Sequence, residues 1–287
     1  MNPALWGGLC ALSLGSADFV ARYSSRALGH ASALLGMLVV GAAVLTLWVW
    51  IGDPLLVWPA GGLWLLALNG VTTTIMMLLL YRALARGPVS IVAPIVASHP
   101  ALVVALAFAL GSRPIAIQWA AMAVTLAGAL VIAGCARRFE EPGVTTRRDL
   151  RTTVMLSLGA ALSYAVMVAA AQAAVPIYGA LQTLWVGRLI SLATIVLLFL
   201  VRGERPKLTG RWWPVIAVQG LLDSGGYLFL LLGSHGPSPE IAVVTGSTFG
   251  AVTTLLARFI LREAIGLPQW GGIVLVFAGV AVLSLYG

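Results

Sequence analysis

Long apolar runs, separated by short connections, fill most of this 287-residue chain. Asp, Glu, Lys and Arg together make up only 9% of its residues, and most of them lie in the connections. A soluble globular chain carries roughly 25% charged residues, whereas about 20 apolar residues make one membrane-spanning helix. The sequence therefore predicts an all-α integral membrane protein with ten transmembrane helices.

One polar segment, residues 135–151, divides these helices into two groups of five. It predicts a first five-helix repeat over 1–134, a polar cytoplasmic linker over 135–151, and a second, inverted repeat over 152–287. The ten spans are expected at about 4–22, 31–51, 62–82, 88–110, 114–134, 152–174, 178–200, 212–232, 238–260 and 266–286.

The basic residues indicate the orientation in the membrane. Of the 17 Lys and Arg residues, all but Arg113 and Arg188 fall in connections or helix ends on one side. Cytoplasmic connections carry such an excess, so both termini are expected on the extracytoplasmic side of the inner (plasma) membrane. The formal charge of +8 does not indicate nucleic-acid binding, because the sequence has no basic face with interleaved aromatic residues.

The two halves of the sequence repeat each other. ALNG at 67–70 corresponds to AVQG at 217–220, and Gln118–Trp119 corresponds to Gln269–Trp270. Because each half has an odd number of spans, the second must insert upside down relative to the first. Inverted repeats are typical of secondary transporters, whose substrate sites lie near the membrane midplane between the repeats.

The fourth span contains prolines where an unbroken helix would not tolerate them. Pro94 and Pro100 each remove a backbone hydrogen bond, which leaves the carbonyls of Ser90 and Val96 without their helical partners. Such bent helices are tolerated in membranes where they line a cavity. The corresponding stretch of the second half has Gly246 and Gly250 in place of these prolines. These four residues are the predicted kink or gating positions, and the glycine-rich copy is expected to be the more adjustable one.

The motifs of the fourth, fifth, ninth and tenth spans resemble those of a known family. The first copy has Ala83–Leu84, Pro100, Arg113, Gln118 and Gly128, and the second has Gly250, Glu263, Gln269, Gly272 and Gly279. This spacing resembles the ten-span EamA-type branch of the drug/metabolite transporter (DMT) superfamily, and especially its YddG-type amino-acid exporters. Arg113 stands where that family usually has Glu, and Gly250 where it usually has Pro.

This resemblance implies ten helices that open alternately to the two sides of the membrane and move small metabolites. One subgroup of the family exports amino acids, including aromatic ones, and others carry nucleotide sugars, sugar phosphates or cationic drugs. Some relatives have cytoplasmic termini, in contrast to the orientation indicated here by the charges.

Several ionisable residues are predicted near the membrane midplane. An α-helix rises about 1.5 Å per residue, which places His99, Tyr164, Arg188 and Asp223 at one depth, together with Thr72, Thr73 and Thr74. Ionisable groups at this depth usually face the interior of the helix bundle and are functional by default.

Asp223 and Arg188 have two interpretations each. Asp223 could couple transport to protons or bind a substrate amine, and Arg188 could bind a substrate carboxylate through its two-pronged guanidinium group. Alternatively, the two residues form a structural salt bridge with each other. If both face the cavity, one cation and one anion at one depth suit a zwitterion better than a sugar phosphate.

The other candidates are polar or aromatic neighbours of that depth. His99 could take up a proton during transport, or it could stay neutral and bind a carbonyl freed by a proline. Tyr164, Tyr227 and Trp185 could stack on an aromatic substrate or simply pack. The predicted substrate-binding set is Thr73, Ser98, His99, Tyr164, Trp185, Arg188, Asp223, Tyr227 and Thr248.

Three residues outside this set, Asp18, Glu263 and Tyr81, are assigned structural roles. Asp18 is expected to pair with Arg22 four residues later. Glu263 is expected to form a surface pair with its neighbour Arg262, and Tyr81 to anchor the end of its span at the membrane surface.

The sequence thus favours a secondary exporter of small metabolites, in particular neutral or aromatic amino acids, that works by alternating access. A cation–proton or drug–proton antiporter that uses Asp223 is the alternative. A membrane enzyme acting on lipid-linked substrates is disfavoured, because acids, histidines and metal-ligand patterns do not cluster. No cofactor, metal or nucleic acid is expected, and the protein is expected to function as a monomer among membrane lipids.

Overall fold

The computed structural model describes residues 3–52, 55–109, 111, 113–135, 147–234, 242 and 245–286. Over these residues the chain forms eleven α-helices, joined by turns and two short 3₁₀ segments. In chain order they are α1 (Pro3–Leu28), α2 (His30–Gly52), α3 (Leu63–Arg86), α4 (Val89–Ala97), α5 (His99–Ala109), α6 (Ala116–Cys135), α7 (Arg147–Tyr178), α8 (Ala180–Arg202), α9 (Trp213–Ser234), α10 (Phe249–Ile260) and α11 (Leu267–Tyr286).

The predicted all-helical membrane fold is confirmed. Seven helical segments in the described part of the chain are long and apolar enough to cross a membrane, and α10 and α11 are shorter apolar helices. Helices α4 and α5 together form the predicted fourth span, so the arrangement is consistent with ten spans. Most of the polar linker (136–146), the first two residues and much of the start of the ninth span (235–241 and 243–244) lie outside the described residues.

The two halves have the same sequence of elements. Gly29 and Gly179 occupy equivalent turns, with φ of 83° and 77°, where a residue with a side chain would be strained. Each turn joins the first helix of its half to the second. The packing also repeats across the halves: α3 lies against α7 and α8, while α9 lies against α1 and α2. The core therefore lies between the two repeats, and helices of each repeat pack against helices of the other.

Both copies of the fourth span are interrupted at equivalent residues. Ser98 separates α4 from α5, with φ of −77° and ψ of 0°. Thr248 precedes α10 with φ of −77° and ψ of 3°. The Ser98 Oγ donates to the Ile95 carbonyl at 2.7 Å, and the Thr248 Oγ1 donates to the Thr245 carbonyl at 2.6 Å. The interruption is therefore a shared feature of the repeats, whereas the prolines belong to the first copy.

The last helix of each half packs tightly against the other through glycine. A Cβ atom built at Gly128 of α6 would lie 2.7 Å from the Gly272 carbonyl oxygen of α11. One built at Gly279 would lie 2.8 Å from the Ala121 carbonyl oxygen. Small residues allow such backbone contacts between membrane helices, where van der Waals packing drives association. Helices α6 and α11 therefore form a close pair across the two repeats.

Several basic helix ends lie together at one end of the bundle. The Arg26 Nε donates to the Ala85 carbonyl at 3.0 Å, which brings the ends of α1 and α3 together. His30, at the start of α2, lies within electrostatic reach of Arg82 and Arg202. The end predicted to face the cytoplasm is thus built from several of the basic connections, while the orientation itself stays a prediction.

Candidate functional site

The two predicted midplane charges form a salt bridge. The Arg188 Nη2 lies 2.5 Å from the Asp223 Oδ2, and both residues are buried, with 4% and 7% of their surfaces exposed. The Arg188 Nη1 also lies 3.8 Å from the Met37 sulfur. Helices α8 and α9 therefore place a compact cation–anion pair inside the bundle. Of the two interpretations of these residues, the mutual pairing is present in this conformation.

Aromatic side chains extend from this pair towards the interrupted fourth span. The Arg188 guanidinium lies 5.7 Å from the centre of the Tyr227 ring, a cation–π distance. Tyr227 is in turn an electrostatic neighbour of Tyr164, whose ring stacks on His99 at 3.8 Å between centroids and 5° between planes. We call Arg188, Asp223, Tyr227, Tyr164 and His99 the midplane cluster. It joins α5, α7, α8 and α9 at one place.

The carbonyls freed by the two prolines both find partners. The His99 Nδ1 lies 3.2 Å from the Val96 carbonyl oxygen, so this nitrogen must carry the proton, because a carbonyl can only accept. The Gln269 Nε2 of α11 donates to the Ser90 carbonyl at 3.0 Å. The predicted role of His99 as the partner of a freed carbonyl is therefore present in the structure, and its Nε2 is left as a hydrogen-bond acceptor.

The predicted threonine candidates bind backbone carbonyls of their own helices. The Thr73 Oγ1 donates to the Asn69 carbonyl at 2.7 Å and is buried. Thr74 donates to the Gly70 carbonyl at 3.1 Å and to the Ser191 carbonyl at 3.2 Å, which links α3 to α8. Since each of these hydroxyls already donates its one O–H to a carbonyl, Thr73 and Thr248 can only accept a hydrogen bond from a ligand.

Three predicted residues lie apart from the midplane cluster in their described contacts. The Trp185 Nε1 donates to the Thr46 Oγ1 at 3.0 Å, and its ring packs against the group that contains Tyr178. A Cβ atom at Gly250 would lie 2.7 Å from the Ala97 Cβ, and one at Gly246 would lie 3.3 Å from the Cys10 Sγ. These glycines permit close helix packing; their predicted adjustability stays a prediction.

Two of the local structural predictions are wrong. Arg22 pairs with Glu263, with 2.5 Å between Nη1 and Oε1, rather than with Asp18. The ion-pair partner of Glu263 among the described residues is thus Arg22 rather than Arg262, and Glu263 also accepts hydrogen bonds from two backbone N–H groups at the start of α4. Local spacing suggested the i,i+4 and neighbouring pairs, but contacts between distant helices replace them.

The third wrong prediction concerns Tyr81. It was expected at the membrane surface, yet only 3% of it is exposed. Its hydroxyl accepts a hydrogen bond from the Gln219 Nε2 at 2.5 Å, and the Gln219 Oε1 accepts one from the Ser24 Oγ at 2.7 Å. A tyrosine near a span end can satisfy its hydroxyl inside the protein when a neighbouring helix supplies an amide.

Asp18 is a site residue that the sequence did not identify. Its strongest charged neighbour is Asp223, and it also interacts electrostatically with Tyr227 and Tyr164. Among the described residues it has no hydrogen bond and no ion pair within 4 Å. The sequence did contain an indication of this role, because an acidic residue inside an apolar run is costly without a partner. The four-residue spacing between Asp18 and Arg22 suggested a local ion pair instead.

Most side chains of the midplane cluster are buried in this conformation, and Tyr227 is partly exposed. His99 and Tyr164 are each 9% exposed, and the two charged residues are less so. A surface groove of about 490 Å³ does exist between α2 and α8, lined by Val39, Ala42, Ala43, Thr46, Leu47, Trp50 and Leu192. This groove is apolar and opens to the outside of the bundle, where it suits a lipid chain rather than a polar metabolite.

These features define a class of protein: a membrane transporter built from two inverted repeats, with interrupted helices and charged groups between the repeats. The profile of the EamA-like transporter family matches residues 1–134 and again residues 151–285. The chain therefore belongs to the EamA-like transporter family of the drug/metabolite transporter superfamily, and it is a multi-pass membrane transporter of small molecules.

Solved structures agree with this fold. One, described only as "Crystal structure of protein", aligns with a TM-score of 0.66 at 16% sequence identity, over 98% of this chain and 95% of that one. At this identity the likeness concerns the fold alone. No curated protein matches the sequence.

Proposed function

We propose that this protein is a secondary transporter that exports neutral amino acids, aromatic ones in particular, across the inner membrane by alternating access. The observation that carries the proposal is the buried Arg188–Asp223 pair, with 2.5 Å between its charged atoms. An amino acid brings one ammonium and one carboxylate, so it can take the place of each partner in turn. Each of the two charged side chains then keeps an opposite-charge contact when the pair opens, which limits the electrostatic cost inside the membrane.

The neighbours of the pair support the same substrate class. Tyr227 and Tyr164 lie between the charges and His99, where an aromatic side chain could stack. A phosphorylated ligand carries two negative charges and calls for several cations, whereas Arg188 is the one Lys or Arg that lies within a predicted span and more than two residues from its ends. The sequence has no phosphate-binding loop for ATP, so the driving force would come from a gradient or from exchange.

A substrate panel tests this proposal. In proteoliposomes, uptake of radiolabelled phenylalanine, tyrosine and leucine is expected to exceed that of a sugar phosphate or a lipophilic cation. Tyr164→Leu is expected to reduce uptake of phenylalanine more than that of leucine, because a lost aromatic contact is worth about 0.5–1.5 kcal/mol. Tyr23→Leu serves as the matched control, since Tyr23 lies on α1 and is 40% exposed. Uptake of the lipophilic cation without uptake of any amino acid would disprove the proposal.

Asp18 favours the second candidate, a cation–proton antiporter. Asp18 and Asp223 are two carboxyl groups beside one basic residue, Arg188, and Arg188 pairs with Asp223. Asp18 would therefore carry a proton or bind a cationic substrate, and a membrane carboxylate without a basic partner is a common carrier of protons.

Proton coupling can be tested directly at Asp18. If protons drive the exchange, an imposed pH gradient should accelerate wild-type uptake, and Asp18→Asn should remove that acceleration while exchange of unlabelled for labelled substrate continues. Glu204→Gln is the matched control, because Glu204 is an exposed carboxylate outside the helices. An Asp18→Asn variant that still responds fully to the pH gradient would exclude Asp18 as the coupling residue.

A further inference from the structure

Glu263 connects three helix ends from both repeats. It lies just beyond α10, and its Oε1 accepts hydrogen bonds from the Arg22 Nη1 of α1 at 2.5 Å and from the Val89 backbone N–H at 3.0 Å. Its Oε2 accepts one from the Ser90 N–H at 2.9 Å. We call Glu263, Arg22 and the N–H groups of Val89 and Ser90 the Glu263 junction. Three donors thus meet a single carboxylate.

The junction fills a gap that the local sequence leaves open. The residue before α4 is Pro88, which gives the helix no side-chain cap. The first N–H groups of a helix need acceptors, and a carboxylate there is further stabilised by the helix dipole. Here the acceptor comes from a residue 173 positions away along the chain. The start of α4 is therefore held by the opposite repeat.

The residues at the equivalent positions of the other repeat cannot form the same junction. Shifting by the 150-residue offset of the repeats puts Arg113 in the place of Glu263 and Gln172 in the place of Arg22. Arg113 is exposed, and it has no ion pair among the described residues. An arginine cannot accept from backbone N–H groups. The contact is therefore specific to the end that carries the basic connections.

Helix α4 leads from this junction directly to the interruption at Ser98 and to His99. We propose that the Glu263 junction is the cytoplasmic gate of the transporter: it holds α4 against α1 and α10 while the cytoplasmic side is closed, and it must break for that side to open. Glu263 is a positioning residue, because it acts through α4. The inference depends on alternating access and not on the identity of the substrate.

Cysteine labelling tests the gate without any substrate. Ser90 is fully buried, and its hydroxyl has no partner in the described part of the structure, so Ser90→Cys is a nearly isosteric probe. The two native cysteines are first replaced by alanine, as Cys10→Ala and Cys135→Ala. Labelling of the probe by a polar maleimide is expected to be slow in this background. Adding Glu263→Gln should accelerate it roughly tenfold or more, since hydrogen bonds to a charged acceptor are the stronger ones.

Two further variants make the result decisive. Arg22→Gln removes only the ion pair and should accelerate labelling by less than Glu263→Gln does. Arg113→Gln, at the equivalent position of the other repeat, should leave labelling unchanged. Thermal unfolding in detergent reports whether each variant is folded. If the Glu263→Gln protein does not fold, the Arg22→Gln protein still tests the proposal. Labelling that stays slow in folded Glu263→Gln and Arg22→Gln proteins would overturn the proposal, even if amino-acid uptake is normal.

Discussion

Asp223→Asn is expected to lose most transport and much of the stability of the protein. The substitution leaves the Arg188 guanidinium buried, at 4% exposure, without its anion. Breaking a buried ion pair from one side costs about 3–5 kcal/mol. Initial uptake rates in proteoliposomes and the thermal unfolding temperature in detergent should therefore both fall, and Arg188→Gln should behave in the same way.

The double variant separates the structural role of this pair from its role in transport. Replacing both partners by apolar residues, as Arg188→Met with Asp223→Leu, removes both charges and is often neutral or stabilising. The double variant should thus regain most of the unfolding temperature lost by the single ones. Its uptake should stay low if the charges bind the substrate. Wild-type uptake by the double variant would mean that the pair is only structural.

Gly128→Leu is expected to disrupt the contact between α6 and α11. A Cβ atom at this position would lie 2.7 Å from the Gly272 carbonyl oxygen and 2.8 Å from the Val276 nitrogen, and neither backbone atom can move aside alone. Overpacking in a well-packed core costs about 1–3 kcal/mol, and forcing two backbones apart belongs at the upper end of that range. The measurement is the thermal unfolding temperature of the purified protein.

Gly134→Leu is the matched control for this substitution. Gly134 lies on the same helix, but a Cβ atom there would meet nothing within 4 Å. Both variants replace a helical glycine by leucine, so any difference reports the packing and not the helix propensity. Equal unfolding temperatures for the two variants would contradict the close pairing of α6 and α11.

Much of the fold could be predicted from the sequence, because each transmembrane helix must satisfy its own backbone within an apolar segment. That constraint made the ten spans and the odd number per half visible without a structure. It also identified the carbonyls of Ser90 and Val96 as groups in need of partners. One partner, His99, is only three residues from Val96 and was foreseeable, whereas Gln269 comes from the far end of the chain.

The two wrong predictions of ion pairs share one physical cause. Asp18 with Arg22, and Glu263 with Arg262, were paired because they are close along the chain. In the folded protein Arg22 instead pairs with Glu263, which lies 241 positions away along the chain. Spacing along a helix indicates which residues share a face, but it does not indicate which helix covers that face. Long-range polar contacts of this kind therefore needed the structure.

The Glu263 junction makes the two faces of an otherwise symmetric architecture unequal. In a carrier without its own energy source, such inequality cannot set the direction of net flux, which follows from the gradients alone. It can change how long the empty carrier waits facing each side, and with it the apparent affinity measured from each side. A protein with a contact like this at one face is therefore expected to have different half-saturation concentrations for influx and efflux of the same substrate.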